Sequence, residues 1–545
     1  MEKKLINASQ WQKIECGKKI IYSPNQSIID FIKRNPNFSS FWQHTYTEFA
    51  CIIYDTVRQK ITAIRDHFGL EPCYYSYVNQ QFIFGSTIPS VLQYIKAPPV
   101  INSSQITNLF FNKLFNAETY SDETYYQSIN RLEPGHELHI DLNDDNGRNQ
   151  KTSFWDLKQH NQTIYYSNKM DYVEHFAELL SEALRVQVRH EKKLAAEFSG
   201  GMDSSAIVAC AIHNNMQPAL FMHVSPPGST IMDDMSYAAV VIKQMGIQSV
   251  NYVDATHFDL VETMLKYAQY FAGGAPYAGV VLANNIHSEI VKQGYKIVLS
   301  GIGGDECVSS HAPLNVCIPQ LIKERGYKKA WHELHHHYNR KGYVSPGKLK
   351  QLIQFIKLSH PNFLSMMKQF GDINYLLKIY LKDQSYLPPP KIAPSLRDHE
   401  YNMLQGAASH HLRLRIEYNN VAAKALGFNY AYPLLYPKLI EYCYQLPLEQ
   451  KRIDGVNRRL IRNYLGQFFP QELYARHSKI GAVTPATLEK IIMEHNKGVY
   501  NTTFHDLPFK QERERIQKRA KRFDSHLFIQ TIPSFMFMTY WDSLS

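Results

Sequence analysis

The chain has 545 residues, 44% hydrophobic and 20% charged. That is ordinary globular composition and excludes a disordered or collagen-like chain, and about two or three cores are expected at this length. A formal net charge of +10 admits an anionic partner without requiring one.

The start, MEKKLINASQWQKIE, lacks the apolar core of a signal peptide, and no run approaches the roughly 18 apolar residues that span a bilayer. Seven cysteines (Cys16, Cys51, Cys73, Cys210, Cys307, Cys317, Cys443) stand far apart and form no C-x-x-C. This argues against a disulfide framework and a zinc site, so a cytoplasmic location is expected. Residues 1–165 carry short β-like runs, FACIIYD, KITAIRD, CYYSYV, QFIFGS and HELHIDL, parted by turn signals such as Pro72, Gly85 and Pro134–Gly135. They read as an α+β or layered β domain.

Residues 170–545 read differently. Helix-period text, YVEHFAELLSEALRVQV, leads into the apolar strand LAAEF, a glycine turn and the helix DSSAIVACAIHN. The strand ALFMHV, a helix near Asp234–Met245, and the strands SVNYVD and KIVLS follow. Strands alternating with helices predict a parallel, doubly wound α/β sheet. Beyond Pro388–Pro390 the text is mostly helical, with an extended stretch near Ala431–Leu435.

The turn is EFSGGMDSS, residues 197–205. A loop between a buried strand and a helix can present backbone N–H groups to a phosphate. Gly200 and Gly201 permit close approach, and Ser199, Ser204 and Ser205 add hydroxyl donors. Asp203 beside a polyanion makes sense if it holds Mg²⁺. It is neither a Walker loop nor a dinucleotide fingerprint. A second loop, LSGIGGDE at residues 299–306, also ends a strand. Ligands sit at the carboxyl ends of such strands, so Asp305 and Asp203 are expected to converge on one metal-binding crevice.

With these motifs the sequence resembles the asparagine synthetase superfamily. S-G-G-M-D-S-S is similar to its pyrophosphate loop, and G-I-G-G-D-E to its second Mg²⁺ motif. RDHFGLEPCYYSY (65–77) and RLEPGHELHID (131–141) look like parts of the amino-terminal glutaminase domain, and RHSKIGAVTP (476–485) like the segment with a catalytic lysine. The resemblance implies a degenerate class II glutamine-amidotransferase-like domain followed by an ATP-pyrophosphatase-type (adenine nucleotide alpha hydrolase-like) synthetase domain. "Degenerate" rests on one departure. The family's glutaminase uses a cysteine that follows the initiating methionine, whereas here Glu2 follows Met1 and the nearest cysteine is Cys16.

Members without that cysteine, β-lactam synthetases and lasso-peptide cyclases, form amides with an amine already on the substrate. β-Lactam synthetases carry a catalytic tyrosine in G-Y-G-x-D, where Ile302 stands here. The G-x-G-G-D-E form and the helical text from Leu314 are more like the lasso cyclases. The implied reaction has ATP and Mg²⁺ activate an Asp or Glu side chain of a precursor (core) peptide as an acyl-adenylate. The peptide's N-terminal amine then closes a macrolactam, with a leader peptidase and a leader-binding protein as further partners. Asp203 and Asp305 would hold Mg²⁺, and Ser199 with the loop N–H groups would hold pyrophosphate. Val224 backbone would read adenine, Gly301 would lie against the nucleotide, and Lys479 would stabilise developing charge. Glu417, placed where the family has an acidic or polar residue facing the acyl site, would help deprotonate the amine or be held in a salt bridge with Arg413 or Arg415.

Two other signals point elsewhere. His332, His335, His336 and His337 cluster in WHELHHHYNR without a further metal ligand, and read as a polar helix face. The basic stretch at 510–522 includes Glu512 and Glu514 and reads as a solvated helix. A small-amino-acid amide synthetase of β-lactam- or asparagine-synthetase type is the nearest alternative. A tRNA-modifying adenylating enzyme suits the charge but not the glutaminase-like region, so nucleic acid is not an expected partner.

Overall fold

The computed structural model describes residues 5–9, 11–35, 41–96, 98–110, 122–143, 149–224, 235–254, 259–274, 279–308, 310–339, 346–359 and 395–474. Lys479, residues 388–390 and the basic stretch at 510–522 lie outside the described residues. No described helix is long and apolar enough to cross a membrane.

The N-terminal region is built on two sheets. Strands β1 (Leu5–Asn7), β6 (Tyr74–Val78), β7 (Gln81–Gly85) and β8 (Asn130–Arg131) form one, in the order β1-β7-β6-β8. Strands β2 (Gln12–Cys16), β3 (Lys19–Ser23), β4 (Ala50–Asp55), β5 (Lys60–Arg65), β9 (His136–Asp141) and β10 (Asn149–Ser153) form the other, in the order β10-β9-β5-β4-β3-β2. Side chains alternate along each strand. Ala50, Ile52 and Tyr54 of β4 meet Phe82 and Phe84 between the sheets, whereas Cys51 and Ile53 pack under the helix Gln26–Arg34 through Ile28 and Ile32. Both faces of β4 are covered, which is why its text, ACIIYD, is an unbroken apolar run.

The second region carries strands β11 (Leu194–Glu197), β12 (Ala219–Val224), β13 (Val250–Asp254), β14 (Ile297–Leu299) and β15 (Asn429–Ala431) in one parallel sheet, ordered β13-β12-β11-β14-β15. The sequence reading of Ala431–Leu435 as extended holds only at its start, because Pro433–Leu435 turns into a 3-10 helix. Helices α1 (Lys169–Val188) and α2 (Met202–His213) cover one face, against Leu194, Ala196, Leu220, Met222 and Leu299. Helices α3 (Asn284–Lys292) and α4 (His410–Leu426) lie on the other, where Ile286, Ile290 and Ala423 meet Ala195, Phe221 and Val298. The run Leu314–Asn339 is two helices broken at Gly326, where φ is +80°.

The two regions share buried contacts. Leu414, Tyr418, Val421 and Ala422 of α4 pack with Ile88, Val91, Tyr125 and Tyr126. Lys424 Nζ donates to both oxygens of buried Glu71 at 2.8 Å, and Trp155 Nε1 donates to Glu441 at 2.8 Å. His67 is 5% exposed, with ring centroids of Phe154 and Trp155 at 5.3 and 5.1 Å. Burial pushes its pKa down to about 3. The unfolded chain protonates His67 below about 6.5 and the fold does so only near 3, so this stability is complete above 6.5 and lost as pH falls toward 3. We expect His67→Phe to flatten the acid limb of the urea midpoint between those values, by up to about 1.4 kcal/mol per pH unit. An unchanged limb would refute the assignment.

Candidate active site

Strand order reverses at β11, whose neighbours β12 and β14 lead to opposite sides of the sheet. A crevice opens outside the strand ends at such a point. The chain leaving β11 turns at Gly200, with φ +68°, and enters α2 with Gly201 at its N-cap. Ser199 Oγ accepts from Gly201 N–H at 3.2 Å, and Ser204 Oγ donates to Gly201 O at 3.1 Å, so these hydroxyls shape the loop. Ser205 is fully buried, and its Oγ meets no partner among the described residues. The chain leaving β14 lies directly against this turn. A Cβ on Gly301 would stand 3.2 Å from Ser204 N, and one on Gly304 would run into the Asp203 carboxylate. Glycine is needed there because the loops touch.

Together the loops bound a cavity of about 300 Å³. Ser199, Gly201, Asp203, Ser204, Gly301 and Asp305 line it. Gly200, Ser205 and Val224 do not line it, and Val224 ends β12 one residue after His223, which does. Asp203 and Asp305 do converge, and a side chain unmarked by the sequence reading stands between them. Arg458 is 4% exposed, with Nη2 2.5 Å from both oxygens of Asp203 and Nη1 3.3 Å from Asp305 Oδ1. Burial alone would weaken its charge; Asp203 and then Asp305 more than offset this and raise its pKa. His311 Nε2 lies 3.1 Å from Asp305 Oδ1.

The floor is polar too. Glu197, His223 and Tyr430 line it on the α3 and α4 side, with Arg415 and Asn419. Burial pushes the His223 imidazole pKa down, and its Nε2 lies 2.9 Å from Asn285 Oδ1. Burial also pushes the Glu306 carboxyl up, with Arg415 opposing at 3.9 Å. The visible signal for this floor was a polar residue closing an otherwise apolar strand, Glu197 in LAAE and His223 in ALFMHV.

Glu417 does not line this cavity; it borders a smaller one with Arg65, Arg131 and Arg413. Its Oε1 accepts from Tyr74 OH at 2.7 Å and Arg131 Nε at 2.8 Å, and Arg65 lies 4.0 Å from Oε2. The salt bridge is therefore real but joins α4 to the N-terminal region, while Arg413 reaches Glu133 instead. Its helix face is turned toward β6 and β8, so the carboxylate is already neutralised. His332 and His336 are exposed on their helix, and among the described residues no group of three His, Cys, Asp or Glu could hold a metal. Two carboxylates with phosphate oxygens and water remain a suitable donor set for Mg²⁺.

A parallel sheet with two glycine-rich loops and convergent acids at its switch point defines a phosphate-binding α/β unit. The family model for asparagine synthase matches residues 175–524, and one for a glutamine amidotransferase domain matches residues 39–155. The first covers more than half of the chain, and the chain belongs to the asparagine synthase family, whose members are ATP-dependent carbon–nitrogen ligases. A putative glutamine-hydrolyzing asparagine synthetase 2 of Methanocaldococcus jannaschii is 28% identical over 262 residues, covering 47% of this chain and 48% of the relative. Asparagine synthetase 2 of Bacillus subtilis is 23% identical, over 47% of this chain and 35% of its own. The amidase chyE of Penicillium rubens is 25% identical, over 31% of this chain and 24% of its own. The chain thus spans about half, or less, of the length of these relatives.

Proposed function

We propose that this chain is a lasso-peptide cyclase, an AMP-forming ligase that activates an Asp or Glu side chain of a precursor peptide and closes a macrolactam on the peptide's N-terminal amine. The observation that carries amide ligation is the meeting of the two loops, with Asp203 and Asp305 on one buried cation. ATP is the activating substrate: the carboxylate oxygen attacks its α-phosphate, pyrophosphate leaves, and the amine then displaces AMP from the acyl carbon. Ser199, Ser204, Ser205 and the Gly200–Gly201 backbone hold the phosphates, and Arg458 carries the pyrophosphate charge. Val224 backbone and Gly301 flank the adenosine. When bound, Mg²⁺ supplies charge neutralisation at the phosphates, held by Asp203 and Asp305. Lys479 is assigned to the charge that develops on the acyl centre.

The peptide reading is supported by Ile302 on the cavity wall, where a β-lactam synthetase would have tyrosine. A leader peptidase and a leader-binding protein would prepare that substrate. The second reading, amide synthesis on a small amino acid, is favoured by the relatives named asparagine synthetases. The test incubates the protein with Mg-ATP and a short peptide with a free N-terminal amine and an internal Asp or Glu, taken from any small precursor encoded beside its gene, and in parallel with aspartate and glutamine. Loss of one water from the peptide, with AMP formed and no glutamate released, is the expected result. Asparagine formation with stoichiometric glutamate would replace the cyclase reading with the second one.

A further inference from the structure

The reaction proposed above needs a base, because the attacking nitrogen must shed a proton as the C–N bond forms. Glu417 is held by Arg131, outside the cavity. Asp203 and Asp305 are claimed by Arg458, and Glu306 is 5% exposed beside Arg415. Each of these carboxylates has a guanidinium for its neighbour.

Glu197 is placed differently. It ends β11, two residues before Ser199, and its side chain is 27% exposed to the same cavity. Its Oε1 accepts from Tyr430 OH at 2.5 Å. His287 Nε2 lies 2.8 Å from that hydroxyl and 3.7 Å from Oε1, and its Nδ1 lies 3.0 Å from Tyr267 OH. His287 is fully buried, so the set is fixed by packing around it. Burial, and next the Glu197 charge, push the Tyr430 phenol well above its usual range, so it stays a donor. These contacts all fall on Oε1, and Glu197 is among the residues that line the cavity.

We propose that Glu197 is the general base of amide formation, with Tyr430 and His287 as positioning residues. This rests on the ligase reading above. The amine lone pair forms the C–N bond, and the C–O bond to AMP breaks with its electron pair leaving on the phosphate. The proton lost by nitrogen passes to Glu197 Oε2 and returns to water on product release.

The test separates activation from bond formation. Hydroxylamine is unprotonated near neutrality and captures an acyl-adenylate as a hydroxamate without a base. The full chain is given Mg-ATP and the peptide, or aspartate, that supports pyrophosphate exchange, with and without hydroxylamine. We expect Glu197→Gln to exchange pyrophosphate and form hydroxamate at near wild-type rates, yet to make lactam at least about a hundredfold more slowly. Tyr430→Phe, which keeps the carboxylate but loosens it, should give the same pattern with about a tenfold loss, and it stands in should Glu197→Gln not fold. Lactam formation by Glu197→Gln at the wild-type rate would overturn the assignment. So would loss of hydroxamate in step with lactam, which would place Glu197 in activation instead. A wild-type chain that gives neither exchange nor hydroxamate, with the peptide or with aspartate, would fail one step earlier and remove the ligase reading itself.

Discussion

Asp203→Asn is expected to abolish ATP–pyrophosphate exchange and also to destabilise the fold, and the two losses have different causes. The first follows from the proposed metal role, since removing a carboxylate from a Mg²⁺–triphosphate site forfeits charge stabilisation in the transition state. The second follows from Arg458, which is 4% exposed and has both Asp203 oxygens within 2.5 Å. Removing one partner of a buried pair typically costs about 3–5 kcal/mol, because the other charge stays buried. Asp305 is the control. Its side chain is 39% exposed and lies 3.3 Å from the guanidinium, so Asp305→Asn should lose exchange but less than about 1 kcal/mol of stability. Adding Arg458→Met to Asp203→Asn should restore most of the urea midpoint and none of the exchange. Retained exchange in either single variant would refute its metal role. A wild-type midpoint for Asp203→Asn would refute the buried pair.

What the sequence made legible were features whose cause is local. The strands LAAE, ALFMHV and IVL stand out because both faces of the parallel sheet are covered, so polar residues are absent until the strand ends. The turn at Gly200 and the close approach at Gly301 and Gly304 are legible because only glycine tolerates such positions. The edge strand β10 was not legible. Every residue of β10, NQKTS, is exposed, and a strand that buries nothing leaves no hydrophobic period. Long-range pairs were hidden for another reason. Arg458 meets Asp203 across 255 residues of chain, and Arg131 meets Glu417 across 286. Periodicity shows which face of a helix is apolar; it does not show which distant charge a polar side chain will meet. Arg458 in NRRLIRN therefore read as nothing, and Glu417 read as either a base or the partner of Arg413 or Arg415, not of Arg131.

The Glu417–Arg131 pair leads to a stability prediction of comparable size. Glu417 is 4% exposed and Arg131 is nearly as covered, with a side chain at 12%. Tyr74 adds its hydroxyl to the same oxygen, so one carboxylate binds β6 and β8 to α4. Glu417→Gln keeps the shape and the tyrosine contact but removes the charge that Arg131 needs. An uncompensated guanidinium in such a setting costs about 3 kcal/mol or more. The Glu417→Met, Arg131→Met double variant removes both charges and should recover most of that loss, since a buried pair is often no more stabilising than apolar residues of similar volume. Pyrophosphate exchange per folded molecule should be unchanged in both, because neither residue lines the cavity. Urea titration read by tryptophan fluorescence, with exchange measured on the same samples, tests both statements. A Glu417→Gln protein that unfolds like the wild type but has lost lactam formation would return Glu417 to the acyl site, and would mean that the regions part from one another during turnover.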